Sequence, residues 1–150
     1  MANAKIGSYS SYGYSFVESI DTTNKQLTPG DSGKIWMCDQ NGTADVDVNL
    51  PQLSTKIAGW YGKFVLRTAA ANDFHIVVYG EDAAGGTDGD ADTIVYLEEA
   101  DANTLNSAAD SIQFTGGGST AGDYCDVFTD GSKWYAHIHS SADAGVAPVG

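Results

Sequence analysis

The feature that most constrains this chain is its hydrophobic periodicity: no segment places apolar residues at helical spacing over three turns. Short runs rich in Val, Ile, Tyr and Trp recur instead, separated by Gly, Asn and Asp, which favour chain reversals. The pattern predicts an all-β fold, an antiparallel β-sandwich with a jelly-roll arrangement as one possible form. We expect about nine short strands, at 14–20, 34–39, 45–50, 63–68, 74–79, 93–98, 111–115, 124–129 and 133–139.

The length of 150 residues suits a single domain with its own core. We predict an N-terminal arm at 1–13, the sandwich at 14–139 and a C-terminal arm at 140–150. Both arms are rich in small or polar residues and lack strand alternation. The best helical candidates, 52–57 and 100–109, are short and flanked by polar residues, so they do not change the fold class.

The charge of the chain limits its partners. Acidic residues outnumber basic ones by 20 to 7, which gives a net charge of −13. Such a surface repels nucleic-acid phosphates and anionic membranes, and we expect it to bind neither. It suits a protein that stays soluble at high copy number or docks on a basic surface. The start MANAKI lacks the apolar core of a secretory signal, so we expect synthesis in a cytoplasm.

A first hairpin is predicted at Asn41-Gly42, a pair that suits a type I′ turn because both central residues need positive φ. A two-residue turn there places Met37 opposite Val46 on an apolar face. Trp36 and Cys38 then lie on the other face of the hairpin, where Trp36 is expected to be exposed.

A second hairpin is predicted at Asp130-Gly131, with Val127 opposite Trp134. The register puts Cys125 with them on the core face and Tyr135 on an aromatic, polar-tipped opposite face. Because the two cysteines of the chain would point to different sides of their sheets, we expect two free thiols.

One acidic run has the spacing of a calcium loop. Asp88, Asp90, Asp92 and Glu99 fall at its first, third, fifth and twelfth positions, but Thr93 replaces the glycine needed at the sixth. A solvated acidic loop is the favoured interpretation, and a looser calcium site stays an alternative.

Two histidines, His137 and His139, share one face of a strand, with Asp123 and Asp126 as imaginable further ligands. Ordinary surface histidines are the simpler interpretation. No motif for nucleophilic, metal-dependent or phosphate chemistry is present, so we expect neither an enzyme nor a bound cofactor.

Five segments, taken in order, resemble a pattern of tailed-phage structural proteins. They are LTPGDSGKIWMCD (27–39), DVDVNLPQL (45–53), GWYGKFVL (59–66), FHIVVYG (74–80) and GDYCDVFTDGSKWYAHIH (122–139). The pattern is similar to that of capsid decoration (cement) proteins and of head-fibre-like domains, and the resemblance covers about residues 14 to 139. The acidic segment 81–92 departs from it as a long insertion.

The resemblance implies a virion protein that binds the major capsid protein lattice as a homotrimer on the capsid surface. Contact with neighbouring subunits or capsid is expected through exposed aromatic side chains, because these are favoured at interfaces. The candidates are Tyr9, Tyr12, Tyr14, Trp36 and Tyr135. The N-terminal tyrosines are expected to be clasped by a neighbouring subunit.

Two other functions stay open. One is a fibre or spike module that binds host-surface glycan by stacking sugars on Trp60-Tyr61 or on the face of Tyr124 and Tyr135. The other is a glycan hydrolase or depolymerase, although the abundant carboxylates give no way to select a catalytic pair.

Overall fold

The computed structural model of the chain describes residues 16–79, 94–98, 104–142 and 145–149. In these residues the chain is all-β, as predicted, and its helical content is two 3₁₀ turns at Pro29–Asp31 and Thr55–Ile57. The strands in this part of the chain are β1 (Val17–Ile20), β2 (Lys25–Gln26), β3 (Lys34–Cys38), β4 (Val46–Asn49), β5 (Tyr61–Leu66), β6 (Phe74–Val77), β7 (Ile94–Glu98), β8 (Thr104–Ala109), β9 (Ser111–Phe114), β10 (Tyr124–Thr129), β11 (Trp134–His139) and β12 (Val146–Val149).

The strands form two sheets that contribute to one hydrophobic core. The seven-stranded sheet has the order β1-β3-β5-β10-β11-β7-β8, and the five-stranded sheet has the order β12-β9-β6-β4-β2. Five of the ten pairings between described strands are parallel, and the other five are antiparallel. The expectation of purely antiparallel sheets is therefore wrong.

Four of the five parallel pairings arise from the path of the first six strands. The chain alternates between the two sheets, so β1, β3 and β5 are neighbours in one and β2, β4 and β6 are neighbours in the other. Each sheet is entered in the same direction every time, which makes neighbouring strands parallel. The N-terminal half is thus a coil of three turns, with one strand in each sheet per turn.

This coil replaces the hairpin predicted at Asn41-Gly42. β3 and β4 belong to different sheets, and Gly42 is not among the described glycines with positive φ, which a type I′ turn requires. The physical reason is burial. In the hairpin Trp36 and Cys38 would face away from the core, whereas two sheets with a shared core bury both of them together with Val46.

The second predicted hairpin is present with a shifted register. β10 and β11 are antiparallel, but Val127 pairs with Ala136 and not with Trp134. The connecting loop is longer than two residues because the Asp130 carboxylate accepts hydrogen bonds from the Ser132 and Lys133 amides. A shift of two residues keeps every side chain on its face, so the predicted core positions Val127 and Trp134 are buried.

Three strands were not predicted. β2 has only two residues, and β8 occupies most of 100–109, one of the two segments considered as helical. β12 lies in the expected C-terminal arm 140–150 and pairs with β9. Its Pro148 is tolerated because β12 is at the edge of the sheet, where a missing amide donor leaves no partner unsatisfied.

Two pairs of aromatic rings pack inside the core. Trp60 packs edge-on against Trp134 with ring centroids 5.2 Å apart, and Phe74 meets Phe114 in the same way at 5.8 Å. Phe64 lies at the centre of β5, level with Trp36 on one neighbouring strand and with Cys125 on the other. All three of these side chains are fully buried.

Because Phe64 is enclosed on both sides, truncating it creates a cavity. We expect Phe64→Ala to lower the free energy of unfolding by about 3–5 kcal/mol in chemical denaturation. Phe128→Ala, at a position 46% exposed, is the matched control and should cost less than about 1 kcal/mol. Equal losses from the two variants would contradict the placement of Phe64 in the core.

Both cysteines are free and buried. The predicted free thiols are therefore confirmed, but the reason given for them is wrong, because Cys38 faces the core as Cys125 does. The strands β3 and β10 flank β5 on opposite sides. Their separation is about 9.5 Å, too wide for the Cα atoms of a disulfide.

Burial raises the pKa of both thiols, so at pH 8 neither is present as the reactive thiolate in the folded protein. We expect a disulfide reagent to modify no cysteine of the native protein within minutes and both cysteines after denaturation. Rapid modification of one thiol in the native protein would show that its strand presents the other face to the core.

Candidate functional site

The candidate site is the outer face of the seven-stranded sheet where β5, β10 and β11 lie side by side. Alternate residues of these strands point away from the core. The registers align them in three rows of three. We call these nine residues the aromatic grid: Tyr61, Phe128 and Tyr135 in the first row; Lys63, Asp126 and His137 in the second; Val65, Tyr124 and His139 in the third.

The first row carries the most exposed aromatic surface. Phe128 is 46% exposed and Tyr61 is 38% exposed. Phe128 stacks on Tyr135 with ring centroids 5.2 Å apart and planes 15° from parallel. The row therefore presents aromatic rings on three adjacent strands, a composition that is common at interaction surfaces.

A charged pair holds the centre of the grid. Lys63 Nζ lies 3.1 Å from Asp126 Oδ2 and 3.6 Å from the centroid of the Tyr124 ring. The Tyr61 hydroxyl donates to Asp126 Oδ1 at 2.8 Å. Each of these contacts removes rotational freedom from an exposed side chain, so the grid is ordered before any partner arrives.

Hydrogen bonds to carboxylates also fix both tyrosines of the first row. Burial and the hydrogen bond to Asp126 raise the pKa of Tyr61 to about 12. The Tyr135 hydroxyl donates to Asp130 Oδ2 at 3.0 Å, and this bond raises the pKa of Tyr135. The Ser132 amide and hydroxyl, with the Lys133 amide, hold the pKa of Asp130 well below its usual range.

The grid is electrically neutral although the chain is strongly acidic. Its one lysine and one aspartate pair with each other, whereas the whole chain carries −13. In the third row Tyr124 stacks on His139 with centroids 4.9 Å apart and planes 18° from parallel. Aromatic surface with little charge is the composition found at the centres of protein interfaces.

The structure places the predicted contact residues differently. Tyr135 is half-buried and belongs to the grid, as its predicted outward position requires. Trp36 was expected to be exposed, and this is wrong: it is 0% exposed, with the ammonium groups of Lys25 and Lys34 at 4.4 and 5.2 Å from its ring centroid. Tyr9, Tyr12 and Tyr14 lie outside the described residues.

The two residues of the predicted sugar-stacking pair, Trp60 and Tyr61, differ in exposure. Trp60 is 2% exposed and its indole donates to the Thr28 carbonyl, so it cannot meet a ligand. Tyr61 is exposed and belongs to the grid. Strand alternation separates the two, because consecutive residues face opposite sides.

Phe128 and Lys63 were not among the candidates drawn from the sequence. The alternation of β10 was the available signal for Phe128, since it lies between two core positions, Val127 and Thr129. The role of Lys63 had no such signal, because the pairing of β5 with β10 that brings Lys63 to Asp126 is long-range.

The two carboxylates predicted as metal ligands, Asp123 and Asp126, already bond to other residues. Asp126 holds Lys63, and the Asp123 carboxylate accepts hydrogen bonds from Thr120 and Ser141. In the described residues no group of three or more His, Cys, Asp or Glu side chains could hold a metal ion. The four residues predicted as calcium ligands, Asp88, Asp90, Asp92 and Glu99, lie outside the described residues.

Comparisons with known proteins add no identity. No family model, curated protein or solved structure matches the chain. The described residues include no helix with the length and apolar character to cross a membrane.

The tyrosine anchor can be tested by titration. In the native protein the ¹³Cζ resonance of Tyr61 should report a protonated phenol up to pH 11, because its pKa lies at about 12. In Asp126→Asn the hydroxyl loses its charged acceptor, and the titration should move toward 10, the ordinary tyrosine value. The raised pKa stabilises the fold fully below pH 10 and progressively less as the pH rises toward 12. An unchanged midpoint in the variant would contradict the hydrogen bond.

Proposed function

We propose that this protein is a structural virion protein that decorates and stabilises a phage capsid by binding the major capsid protein lattice. The observation that carries the proposal is the aromatic grid, a partly exposed and neutral surface on the seven-stranded sheet of an otherwise acidic chain. Such a surface is suited to adhesion to another protein. The resemblance of the sequence to decoration proteins supplies the identity of that partner.

The fixed side-chain positions in the grid support an adhesive role. Two of its three tyrosine hydroxyls, its lysine and two aromatic stacks are already held by neighbours. Docking therefore immobilises few further side chains, each of which would cost about 0.5–1.5 kcal/mol. Many weak contacts of this kind, made by copies at repeated positions, sum to a stable shell.

The finer features of the proposal rest on the same resemblance. We propose that the two sheets form a β-sandwich and that three copies assemble as a homotrimer on the virion surface. Tyr9, Tyr12 and Tyr14 then contact a neighbouring subunit, and the protein is a binding module and not an enzyme. The acidic remainder of the surface keeps unassembled copies soluble.

Attachment to shells tests the proposal. Shells of the major capsid protein encoded in the same genome, assembled without this chain, should bind the purified protein and carry it through a density gradient. Phe128→Asp buries a charge in the grid contact, so we expect at least a tenfold loss of bound protein, about 1.4 kcal/mol per site. Tyr79→Asp, at a position 49% exposed on the five-stranded sheet side, is the matched control and should bind as the original chain does.

Two results would contradict this function. One is a monodisperse monomer that never sediments with shells at any concentration. The other is equal attachment of the Phe128→Asp and original chains, which would remove the grid from the contact even if the protein decorates shells.

A further inference from the structure

A second surface feature, lined by none of the grid residues, lies at the end of the molecule where β2 leads to β3 and β4 leads to β5. The two 3₁₀ turns of these connections border a cleft of about 510 Å³. A smaller cleft of about 170 Å³ continues beyond Pro29 and Ile57, which line both. Together they have the size of a site for a small molecule.

The floor of the larger cleft is apolar and carries one exposed aromatic ring. Pro51 and Ile57 are buried beneath it, and Tyr79 is 49% exposed at its wall. The Tyr79 hydroxyl has no hydrogen-bond partner among the described residues. This separates it from Tyr61 and Tyr135, whose hydroxyls are bound to carboxylates. Tyr79 therefore offers both a ring face and a free hydroxyl to a ligand.

One unpaired cation stands at the same cleft. Four of the six basic side chains in the described part of the chain pair with carboxylates. The other two are Lys56, which lines both clefts, and Lys133, which lines neither. Among the described residues, a lysine without a carboxylate partner is therefore in the minority.

The other described residues that line the two clefts add no negative charge. None of the described residues that line either cleft is acidic. Gln52 and Ser54 are exposed at the larger cleft, and neither side chain has a hydrogen-bond partner in the described part of the chain. An amide, a hydroxyl, a phenol and an ammonium group thus border an apolar floor. None of these four groups is hydrogen-bonded to another described residue.

From this arrangement we propose that the cleft binds a saccharide that carries a carboxylate, such as a hexuronate unit. The Tyr79 ring packs against the C–H face of the sugar, Gln52 and Ser54 bond its hydroxyls, and Lys56 pairs with its carboxylate. Among the described lining residues there is no acidic side chain, and this selects the charged sugar over a cation. The proposal is independent of capsid binding, since none of the nine grid residues lines either cleft.

The probe is trigalacturonic acid, titrated into the ¹⁵N-labelled protein in 150 mM NaCl, where the Debye length of about 8 Å weakens repulsion by the acidic surface. We expect saturable shifts at the amides of Lys56 and Tyr79, with a dissociation constant of about 1 mM, typical of a shallow site. The fully methyl-esterified trisaccharide has the same rings without the charge, and it should bind at least about fivefold more weakly.

Three variants locate the contact. Tyr79→Ala should weaken binding of both trisaccharides about tenfold, because it removes the stacking surface. Lys56→Gln should bring the affinity for the acid down to that for the ester. Lys133→Gln removes the other unpaired lysine and should change neither affinity.

Each remaining outcome overturns part or all of the inference. Shifts that do not saturate, or that lie away from the cleft, show that no saccharide site exists there. Equal binding of acid and ester removes the role of Lys56. A loss in Lys133→Gln as large as in Lys56→Gln shows non-specific attraction to positive charge.

Discussion

The structure depends on two sheets that share one hydrophobic core, because the residues that need burial alternate along strands that cannot bury them alone. β3 buries Trp36 and Cys38, and β4 buries Val46 and Val48. A single hairpin of these strands would turn one pair away from the other. Placing the strands in opposite sheets lets both pairs enter the same core, and the parallel coil of the first six strands follows from repeating that choice.

The aromatic grid is a consequence of the same core. β5, β10 and β11 each alternate between a buried and an outward residue, so Phe64, Val127 and Trp134 fix the outward side chains between them. A slip of one residue would exchange the two faces and expose the tryptophan. The binding surface is therefore set by packing on its hidden side, and the carboxylates of Asp126 and Asp130 then hold the tyrosine rings in place.

The sequence was informative where a signal is local. Alternation and turn residues predicted the all-β class, the β10–β11 hairpin and the inward positions of Val127 and Trp134. It failed where the choice is between distant partners. Asn41-Gly42 favours a hairpin by local chemistry, but burying Trp36 across the core outweighs one turn preference. Lys63 and Asp126 are 63 positions apart in the sequence, so no local pattern predicts their contact.

The coiled path also shapes how the chain can fold. Paired residues of neighbouring coil strands are 18 to 28 positions apart, as with Val17 and Ile35 or Ile35 and Lys63. Each such pairing must close a long loop before any contact offsets the lost entropy. The β10–β11 hairpin closes over only a few residues and can form early. The coil is then expected to assemble against this hairpin through β5, which pairs with β10. Because β1 lies at the far edge of the sheet, we expect it to be the last strand to pair and the first to fray.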